Sequence, residues 1–312
     1  MRITVILCTL NRCQSLAETL ESIAISTLPD SLDWEILVVD NNSTDHTREV
    51  VEEFGRRYPD RFRYLFEPQP GKSYALNAGI REAQGEILAF TDDDVTVEPA
   101  WLQNLTADLH SSKWAGTGGR TLPTQAFSPP RWYALNLGGA LFAHFDLGES
   151  PQDLDQAPYG ANMAFRKEMF EKYGPFRLDL GPRPGSQIRS EDTEFGQRLL
   201  AAGERLRYEP SAVVHHPVPE DRLRKDYFLA WSFDFGRAMK RMEAKRSDIL
   251  GIPRRHLSML KSGIVLIPVR TLQWIFAIDP QRRFNCKCSV WKTMGEMAEV
   301  YRSSFGAGNN AV

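Results

Sequence analysis

The chain has few of the features that mark secreted or zinc-stabilised domains. Its 312 residues include only four cysteines, Cys8, Cys13, Cys286 and Cys288, and no Cys-x-x-Cys pair. This pattern argues against a disulfide framework and a structural zinc site, and indicates free thiols in a reducing compartment. Strand-like residues begin at Ile3, with no apolar signal core or small-residue cleavage site before them. We therefore expect a cytoplasmic protein.

The chain is also poor in long apolar runs. The segment GIVLIPVRTLQWIFAI, residues 263–278, contains Pro268, Arg270 and Gln273. A membrane-spanning helix needs about 20 consecutive apolar residues. A buried or interfacial helix is therefore favoured here, and a membrane span stays open as the alternative.

Charge is close to balanced in total but not along the chain. The formal net charge is −2, yet residues 222–292 contain 16 Lys and Arg against 5 Asp and Glu. Such a basic region indicates contact with something anionic. Phosphate, a lipid surface and nucleic acid are the anionic partners that fit this charge. From the chain as a whole we expect peripheral contact with an anionic membrane and no nucleic acid.

Apolar residues within this basic region recur at helical spacing. The stripe consists of Phe228, Trp231, Phe235, Met239 and Met242, with Arg and Lys around it. Core packing is the first interpretation of such a stripe, and a basic amphipathic face on a membrane is the second.

The first half of the chain alternates between strand-like and helix-like segments. This alternation predicts βαβ units and a mostly parallel, Rossmann-like sheet flanked by helices. The predicted strands are Ile3–Cys8, Glu35–Val39, Arg61–Phe66 and Glu86–Phe90, and the predicted helices are Cys13–Ser26, Thr44–Tyr58 and Ser73–Ala83.

Polar residues follow the predicted strands where each one ends. The clearest case is FTDDDVTVEP, residues 90–99, in which three adjacent carboxylates follow a buried strand. Adjacent carboxylates repel, and a buried one without a partner is costly, so a positive group must lie beside them. Mg²⁺ or Mn²⁺ bridging Asp92, Asp94 and a diphosphate would meet this need, and His216 or His215 could complete the shell.

Six motifs follow one another between Thr4 and about Arg222. They are VILCTLNR, EILVVDNNSTDHT, PGKSYALNAGIREAQGEILAFTDDD, YGANMAFRKEMF, SEDTEFGQRLLAAG and VVHHPVPEDRL. Their order resembles that of family 2 inverting glycosyltransferases with the GT-A fold.

The resemblance implies a role for individual positions. Asp92 and Asp94 match the outer residues of the Asp-x-Asp motif, with Asp94 the stronger candidate for a direct metal ligand, and His216 matches an additional ligand. Asp192 matches the general base, and Glu191 is its alternative. The positions expected to bind the nucleotide are Thr9, Asn11, Arg12, Asp40, Lys72, Asn77, Asp92 and Asp93.

The resemblance also implies an activity and a division of the chain. We expect a metal-dependent inverting hexosyltransferase that moves a sugar from a nucleotide-diphosphate donor, with UDP favoured, to an acceptor hydroxyl. The acceptor would be a carbohydrate or a lipid-linked glycan in polysaccharide or glycolipid synthesis. The expected domains are a GT-A domain at 1–222, made of a nucleotide half (1–97) and an acceptor half (98–222), and a basic helical region at 223–312.

Three alternatives remain at this point. Asp92-x-Asp94-x-Thr96 also fits the nucleophile motif of haloacid-dehalogenase-like phosphatases, although that motif follows the first strand of its domain. A nucleotidyltransferase would carry a Gly-rich basic loop after the first strand, whereas CTLNR has no glycine. An inactive nucleotide-sugar-binding scaffold is the third alternative.

Overall fold

The computed structural model describes residues 2–26, 32–125, 130–133, 144–186, 188–243 and 259–305. These residues form two compact units, and the division in the C-terminal half falls between Val218 and Pro219. The sequence predicted a boundary at residue 222. It did not predict that residues 130–133 and the described residues of 185–189 group with the C-terminal unit.

The first unit is built on one mixed sheet, to which the described residues contribute nine strands. Their order is β3-β2-β1-β4-β8-β6-β9-β5, and β7 also pairs with β9. The strands are β1 (Ile3–Thr9), β2 (Trp34–Asp40), β3 (Phe62–Phe66), β4 (Ile87–Thr91), β5 (Thr96–Val97), β6 (Gly116–Pro123), β7 (Gln152–Leu154), β8 (Met163–Arg166) and β9 (Leu206–His216).

Helices cover both faces of this sheet, so its central strands are apolar on both sides. Alternate residues of β1 show the pattern, because Val5 packs into one hydrophobic cluster and Ile6 into the other. The first cluster includes residues of α1 (Cys13–Ala24), α2 (Thr47–Arg57) and α4 (Trp101–Thr106). The second includes residues of α3 (Lys72–Glu82), α5 (Lys167–Tyr173) and α6 (Glu191–Ala201).

The predicted elements of the first half occur close to their expected positions. One difference has a local cause: α2 begins at Thr47 rather than at Thr44. The Asp45 carboxylate accepts hydrogen bonds from the backbone N–H groups of Cys13 (2.9 Å) and Thr47 (3.1 Å), so it caps the starts of α1 and α2 together.

One buried amide joins the second half of the sheet to α4. The Asn162 side chain donates to the carbonyl oxygens of Arg120 on β6 and Ala212 on β9, each at 2.8 Å. It also accepts a hydrogen bond from the Trp101 indole at 2.8 Å. These bonds fix β9, whose last residue is His216.

The second unit is helical. A 3₁₀ turn (Glu220–Leu223) leads into α7 (Lys225–Met242), and a π-helical stretch (Ser262–Leu266) leads into α8 (Ile267–Phe276) and α9 (Pro280–Phe305). The helices α7 and α9 meet at two glycines. A Cβ on Gly236 would overlap the carbonyl oxygen of Lys292, and a Cβ on Gly295 would overlap that of Phe233.

The predicted stripe on α7 is only partly the packed face. Phe228 is buried, but Trp231, Phe235, Met239 and Met242 are half-buried. The buried face of α7 consists of Phe228, Ser232, Gly236 and Ala238. Small residues allow the close approach to α9, and a pattern of large apolar residues does not detect them.

The apolar segment near residue 270 is helical but not buried. Among the described residues, Met259–Phe276 is the one helix that is long and apolar enough to cross a membrane, with a mean hydropathy of 1.2. Only 6% of that stretch is buried. The structure therefore contradicts a buried helix and leaves the interfacial helix, which the sequence favoured equally. Length and composition alone are weak evidence for a span.

A buried carboxylate ties the start of the sheet together. Glu35 on β2 is fully buried and accepts hydrogen bonds from the Thr4 hydroxyl on β1 (2.8 Å) and the Arg63 guanidinium on β3 (2.9 Å). It also accepts from the backbone N–H of Gln84 at 3.1 Å. Burial alone would raise the pKa of Glu35, but the Arg63 and Thr4 bonds outweigh it and lower the pKa.

We predict that Glu35→Gln lowers the free energy of unfolding at pH 7 by about 1–3 kcal/mol, because Arg63 loses a charged partner. A carboxylate with a depressed pKa stabilises the fold above its unfolded pKa of about 4.3, and this stabilisation is lost as the pH falls through the lower folded value. The difference between the two proteins should therefore shrink in acid.

Urea unfolding at a series of pH values measures this difference. The control is Glu52→Gln, which removes an exposed pair with Arg48 and should change stability by less than about 0.5 kcal/mol. An equal loss for both variants, or a Glu35→Gln difference that does not depend on pH, would contradict the assignment.

Candidate active site

The candidate site lies at the edge where the carboxyl ends of four strands meet. Thr9 ends β1 and pairs in register with Asp40, which ends β2. The residues Asp92–Asp94 follow β4, and His216 ends β9. The sequence predicted that the polar strand ends would lie at one edge, and ligands of α/β sheets generally bind at such an edge.

Three side chains converge on one point of this edge. Oxygen atoms of Asp92 and Asp94 and a ring nitrogen of His216 all lie within 4.8 Å of one another. The His216 Nε2 atom is 3.3 Å from Asp94 Oδ1 and 3.9 Å from Asp92 Oδ2. Among the described residues, this is the one group of three or more His, Cys, Asp or Glu with metal-ligand spacing.

The contacts of the His216 ring fit a cation between these groups. Its Nδ1 atom lies 2.7 Å from the carbonyl oxygen of Pro217, which can only accept a hydrogen bond, so Nδ1 carries a proton. In the neutral ring Nε2 then presents a lone pair to two carboxylates. That arrangement is repulsive without a positive charge, and it is the arrangement of a metal-ligating histidine with its second nitrogen fixed by a carbonyl.

Two basic side chains compensate the other carboxylate oxygens. The Arg12 guanidinium lies 3.0 Å from Asp93 Oδ1 and 2.9 Å from Asp94 Oδ2. The Lys72 ammonium lies 2.6 Å from Asp92 Oδ1. The positive partners that the three adjacent acids require therefore come from the β1–α1 loop and from the first residue of α3.

The acids differ in their electrostatic surroundings. Burial alone would raise the pKa of Asp92, but the charge of Lys72 outweighs burial and lowers the pKa to about 2. Burial raises the pKa of Asp93 to about 6 in spite of Arg12. Asp92 is therefore ionised at neutral pH and is paired with Lys72. An ionised carboxylate is what a site for a positively charged ligand requires.

A second acidic pair lies beside Lys72 at the N-terminus of α6. Glu191 is buried, and its Oε1 atom is 4.0 Å from the Lys72 ammonium. Its Oε2 atom is buried without a hydrogen-bond partner among the described residues. Burial and then the neighbouring Asp192 charge raise the pKa of Glu191 to about 7. Lys72 therefore connects the acids after β4 with those that begin α6.

Asp192 is more accessible than Glu191. Its Oδ2 atom accepts a hydrogen bond from the backbone N–H of Gly160 (2.8 Å), and its Oδ1 atom accepts from the Thr193 N–H (2.6 Å). These bonds fix the carboxylate at a helix N-terminus, where a negative charge is favoured. Ser190 directly before the pair has a left-handed backbone (φ 86°), which turns the chain into α6.

The residues expected to contact the nucleoside lie at the ends of β1 and β2. Asp40 is buried and accepts hydrogen bonds from the Ser43 N–H and the Tyr64 hydroxyl, both at 2.8 Å. Asn11, with φ 53°, accepts a bond from the Thr44 N–H at 2.7 Å. Asn11 therefore links the loop after β1 to the loop after β2.

Asn77 does not join this cluster. Its amide donates to the carbonyl oxygen of Phe176 (2.8 Å), and its carbonyl accepts from the Phe176 N–H (3.0 Å). Both the NH₂ group and the carbonyl oxygen of this amide thus bind the backbone of Phe176, which precedes α6 in the chain. These bonds indicate that Asn77 positions that backbone. Contact of Asn77 with the nucleotide stays a prediction.

Sequence reasoning missed Asn41. Its amide donates to the carbonyl oxygens of Glu67 (3.1 Å) and Gln69 (2.7 Å), and its carbonyl accepts from the Gly71 N–H (2.7 Å). These bonds shape the turn that ends at Gly71 (φ 139°) and presents Lys72. The sequence signal for this role is weak: Asn41 is the residue after Asp40 in VVDNN. Neither the patterns of helix capping nor those of ligand binding distinguish this asparagine from its neighbour.

The two adjacent histidines point to different surroundings. His215 lies 2.9 Å from Glu98 Oε1, outside the cluster of acids, whereas His216 lies within it. Alternation along β9 produces this difference, because successive side chains of a strand face opposite sides. Of the two candidates that the sequence left open, His216 is the one placed to bind a metal.

Comparisons with known proteins identify the family of this chain. A family model described as "Glycosyl transferase family 2" matches residues 4–174. The succinoglycan biosynthesis protein ExoM of Rhizobium meliloti is 30% identical over 251 residues, which cover 79% of this chain and 77% of ExoM. A glucosyl-dolichyl phosphate glucuronosyltransferase of Haloferax volcanii is 27% identical over 250 residues, which cover 78% of each chain.

Solved structures show the same fold. A mannosyltransferase from Pyrobaculum calidifontis in complex with GDP-Man and Mn²⁺ aligns with a TM-score of 0.59 at 20% identity, covering 98% of this chain and 76% of that one. Its fold confirms the predicted GT-A architecture. The strand-end acids, their order along the chain and the matching family model lead to one conclusion: the chain belongs to glycosyl transferase family 2 and is a glycosyltransferase.

Proposed function

We propose that this glycosyltransferase moves a sugar from a nucleotide-diphosphate donor to an acceptor hydroxyl with inversion at the anomeric carbon, and that it requires a divalent cation. The observation that carries the proposal is the convergence of Asp92, Asp94 and His216 at the strand ends. Lys72 lies between this group on one side and the Glu191–Asp192 pair on the other. One edge of the sheet thus holds a cation-binding group next to a candidate base.

The acids after β4 and His216 are the groups that would hold the cation. A divalent cation there would supply positive charge to the departing diphosphate. An imidazole nitrogen beside two carboxylates favours Mn²⁺ over Mg²⁺, since Mg²⁺ prefers oxygen ligands. The Mn²⁺ in the mannosyltransferase complex supports this choice.

Asp192 is the proposed general base. Its fixed, partly accessible carboxylate would accept the proton of the acceptor hydroxyl as the oxygen attacks the sugar. A single displacement by that oxygen, from the side opposite the diphosphate, inverts the anomeric carbon. Glu191 is the weaker candidate, because it is buried and lies against Lys72.

Lys72 and Arg12 are the proposed phosphate-side cations. Lys72 lies against Asp92 and is only about a quarter exposed, so it holds the acid in place. Arg12 is half-exposed and can leave Asp93 and Asp94 when a stronger cation binds. Thr9, Asn11 and Asp40, at the ends of β1 and β2, would contact the base and ribose.

The donor base and the acceptor follow from the family rather than from the site. We infer UDP because it is the commonest donor nucleotide in the family. Relatives are named for succinoglycan biosynthesis and for transfer to glucosyl-dolichyl phosphate. These names support a polysaccharide or lipid-linked glycan as acceptor. We propose that the enzyme acts in the cytoplasm, at the cytoplasmic face of a membrane.

We predict a cation-dependent rise in melting temperature with one class of nucleotide sugar, because a ligand that binds only the folded state stabilises it. The measurement is thermal unfolding with UDP-, GDP-, CMP- and dTDP-sugars, each with and without Mn²⁺. Asp94→Asn should abolish the cation-dependent part. Asp108→Asn, at an ion pair with Arg207 away from the strand-end cluster, is the control and should retain it.

A rise that persists in Asp94→Asn would contradict the assigned cation site. A rise with GDP-sugars alone would replace UDP by GDP and leave the rest of the proposal intact.

We predict that Asp192→Asn lowers kcat by roughly a hundred- to ten-thousand-fold, because a general base usually contributes a factor of this size to the rate. Donor binding should change little. Steady-state rates with the acceptor, together with the donor-induced melting shift, separate chemistry from binding. Glu194→Gln on the same helix removes the ion pair with Arg198 and is the matched control. A larger kcat loss in Glu191→Gln than in Asp192→Asn would assign the base to Glu191.

We predict that Arg12→Ala tightens binding of Mn²⁺ alone by about threefold to tenfold, because it removes a charge that competes for Asp94. Titration of free Mn²⁺, detected by its electron paramagnetic resonance without nucleotide, measures this affinity. Arg48→Ala removes an exposed pair with Glu52 and should leave the affinity unchanged. Weaker Mn²⁺ binding in Arg12→Ala would show that Arg12 supports the cation site rather than competing for it.

A further inference from the structure

The second unit exposes an apolar surface along residues 259–278. Its large side chains are between 45% and 97% exposed, and these residues include no Asp or Glu. We name this surface the apolar ridge. It consists of Leu260, Ile264, Val265, Val269, Leu272, Ile275, Phe276 and Ile278.

Polar and aromatic contacts to α9 fix the direction in which the ridge faces. Arg270 donates a hydrogen bond to the Ser289 carbonyl oxygen (3.1 Å) and contacts the Thr293 hydroxyl. Trp274 packs edge-on against Trp291, with 6.3 Å between the ring centroids. The side of α8 that carries Arg270 and Trp274 therefore faces α9, and the apolar side faces away from α9.

Basic residues lie at both ends of the ridge. Lys261 is exposed at its start, and Arg282 and Arg283 are exposed in the first turn of α9. The Lys287 ammonium lies 5.1 Å from the centre of the Trp274 ring. Apolar residues flanked by cations and accompanied by tryptophan are the arrangement of a helix that lies in a membrane interface.

We propose that the apolar ridge inserts into one leaflet of an anionic membrane, with the axis of α8 parallel to the membrane surface. The ridge supplies the apolar area, and the flanking cations contact anionic headgroups. The occupant is thus a phospholipid surface with negative charge, which the basic composition of residues 222–292 complements.

A spanning orientation does not fit the contacts of α8. Arg270 lies in the middle of the helix and is hydrogen-bonded to α9. If α8 spanned the membrane, this hydrogen bond would have to break within the hydrocarbon, or α9 would have to enter the hydrocarbon together with α8. The helix α9 carries Lys287, Lys292 and Glu299. Charged side chains within the hydrocarbon are costly, so the interfacial orientation is favoured.

A second copy of the chain fits the ridge less well. In a twofold dimer the same surface lies on both partners. With the two helices antiparallel, Lys261 of one copy would face Arg282 and Arg283 of the other, and like charges across an interface are unfavourable. Anionic lipid has no such conflict.

The test is co-sedimentation of the full chain with vesicles made of equal parts phosphatidylcholine and phosphatidylglycerol, without nucleotide or acceptor. We expect binding that weakens as salt is raised. The double variant Leu272→Glu/Ile275→Glu should bind on the order of tenfold more weakly, because it places charge on the inserted face. Arg282→Gln/Arg283→Gln should lose the salt-sensitive part of the binding.

A matched control changes two exposed apolar residues of the first unit, Ile25→Glu and Leu178→Glu, and should bind as the parent protein does. All variants alter exposed positions, and circular dichroism with thermal melting checks that they fold. Equal binding by the ridge variant and the parent would overturn the proposal. So would a dimer in sedimentation equilibrium that dissociates in Leu272→Glu/Ile275→Glu while neither protein binds vesicles.

This inference does not depend on the proposed reaction. Vesicle binding is measured without donor or acceptor, so its failure would leave the donor-site predictions untouched. Conversely, vesicle binding without a nucleotide-dependent melting shift would support the membrane-binding surface and contradict the proposed cation-dependent transfer.

Discussion

Charge compensation at the end of β4 is the constraint on which the candidate site depends. Three carboxylates follow a buried strand, and the sheet can retain them there only if cations approach from other elements. Arg12 comes from the loop after β1 and Lys72 from the start of α3, and the ring nitrogen of His216 reaches the same acids from the end of β9. Segments far apart in sequence must therefore be placed within a few ångströms before the acids can be accommodated.

Much of the remaining structure of the first unit serves this placement. Asn41 shapes the turn before Lys72, so that the ammonium reaches Asp92. Asn162 joins β9 to β6, and β9 carries His216. Neither amide is a candidate for chemistry, yet each fixes the backbone from which a charged group extends. A buried amide with all its bonds satisfied is well suited to this task, because it tolerates only one arrangement of its partners.

The parts of the structure that repeat along the chain were predictable from the sequence. Short apolar runs between helix-like segments located β1, β2 and β4, and the polar residues that end these strands indicated the edge where ligands are expected to bind. The bonds that position the site were not predictable, because they join residues such as Asn77 and Phe176 that are distant in sequence. The packing of α7 on α9 was missed for a related reason, since Gly236 and Gly295 add no apolar side chain to a periodic pattern.

The two basic residues of the site differ in a way that suits the exchange of one charge for another. Arg12 is 49% exposed and contacts two acids from the solvent side, whereas Lys72 is 28% exposed and lies between Asp92 and Glu191. Burial alone would lower the pKa of Lys72, but the charges of Asp92 and Glu191 outweigh it and raise the pKa, so the ammonium stays protonated. A dication added to the cluster would repel both, and Arg12 is the more exposed of the two and has more solvent into which it can move. Lys72, which is held between Asp92 and Glu191, would remain in contact with Asp92.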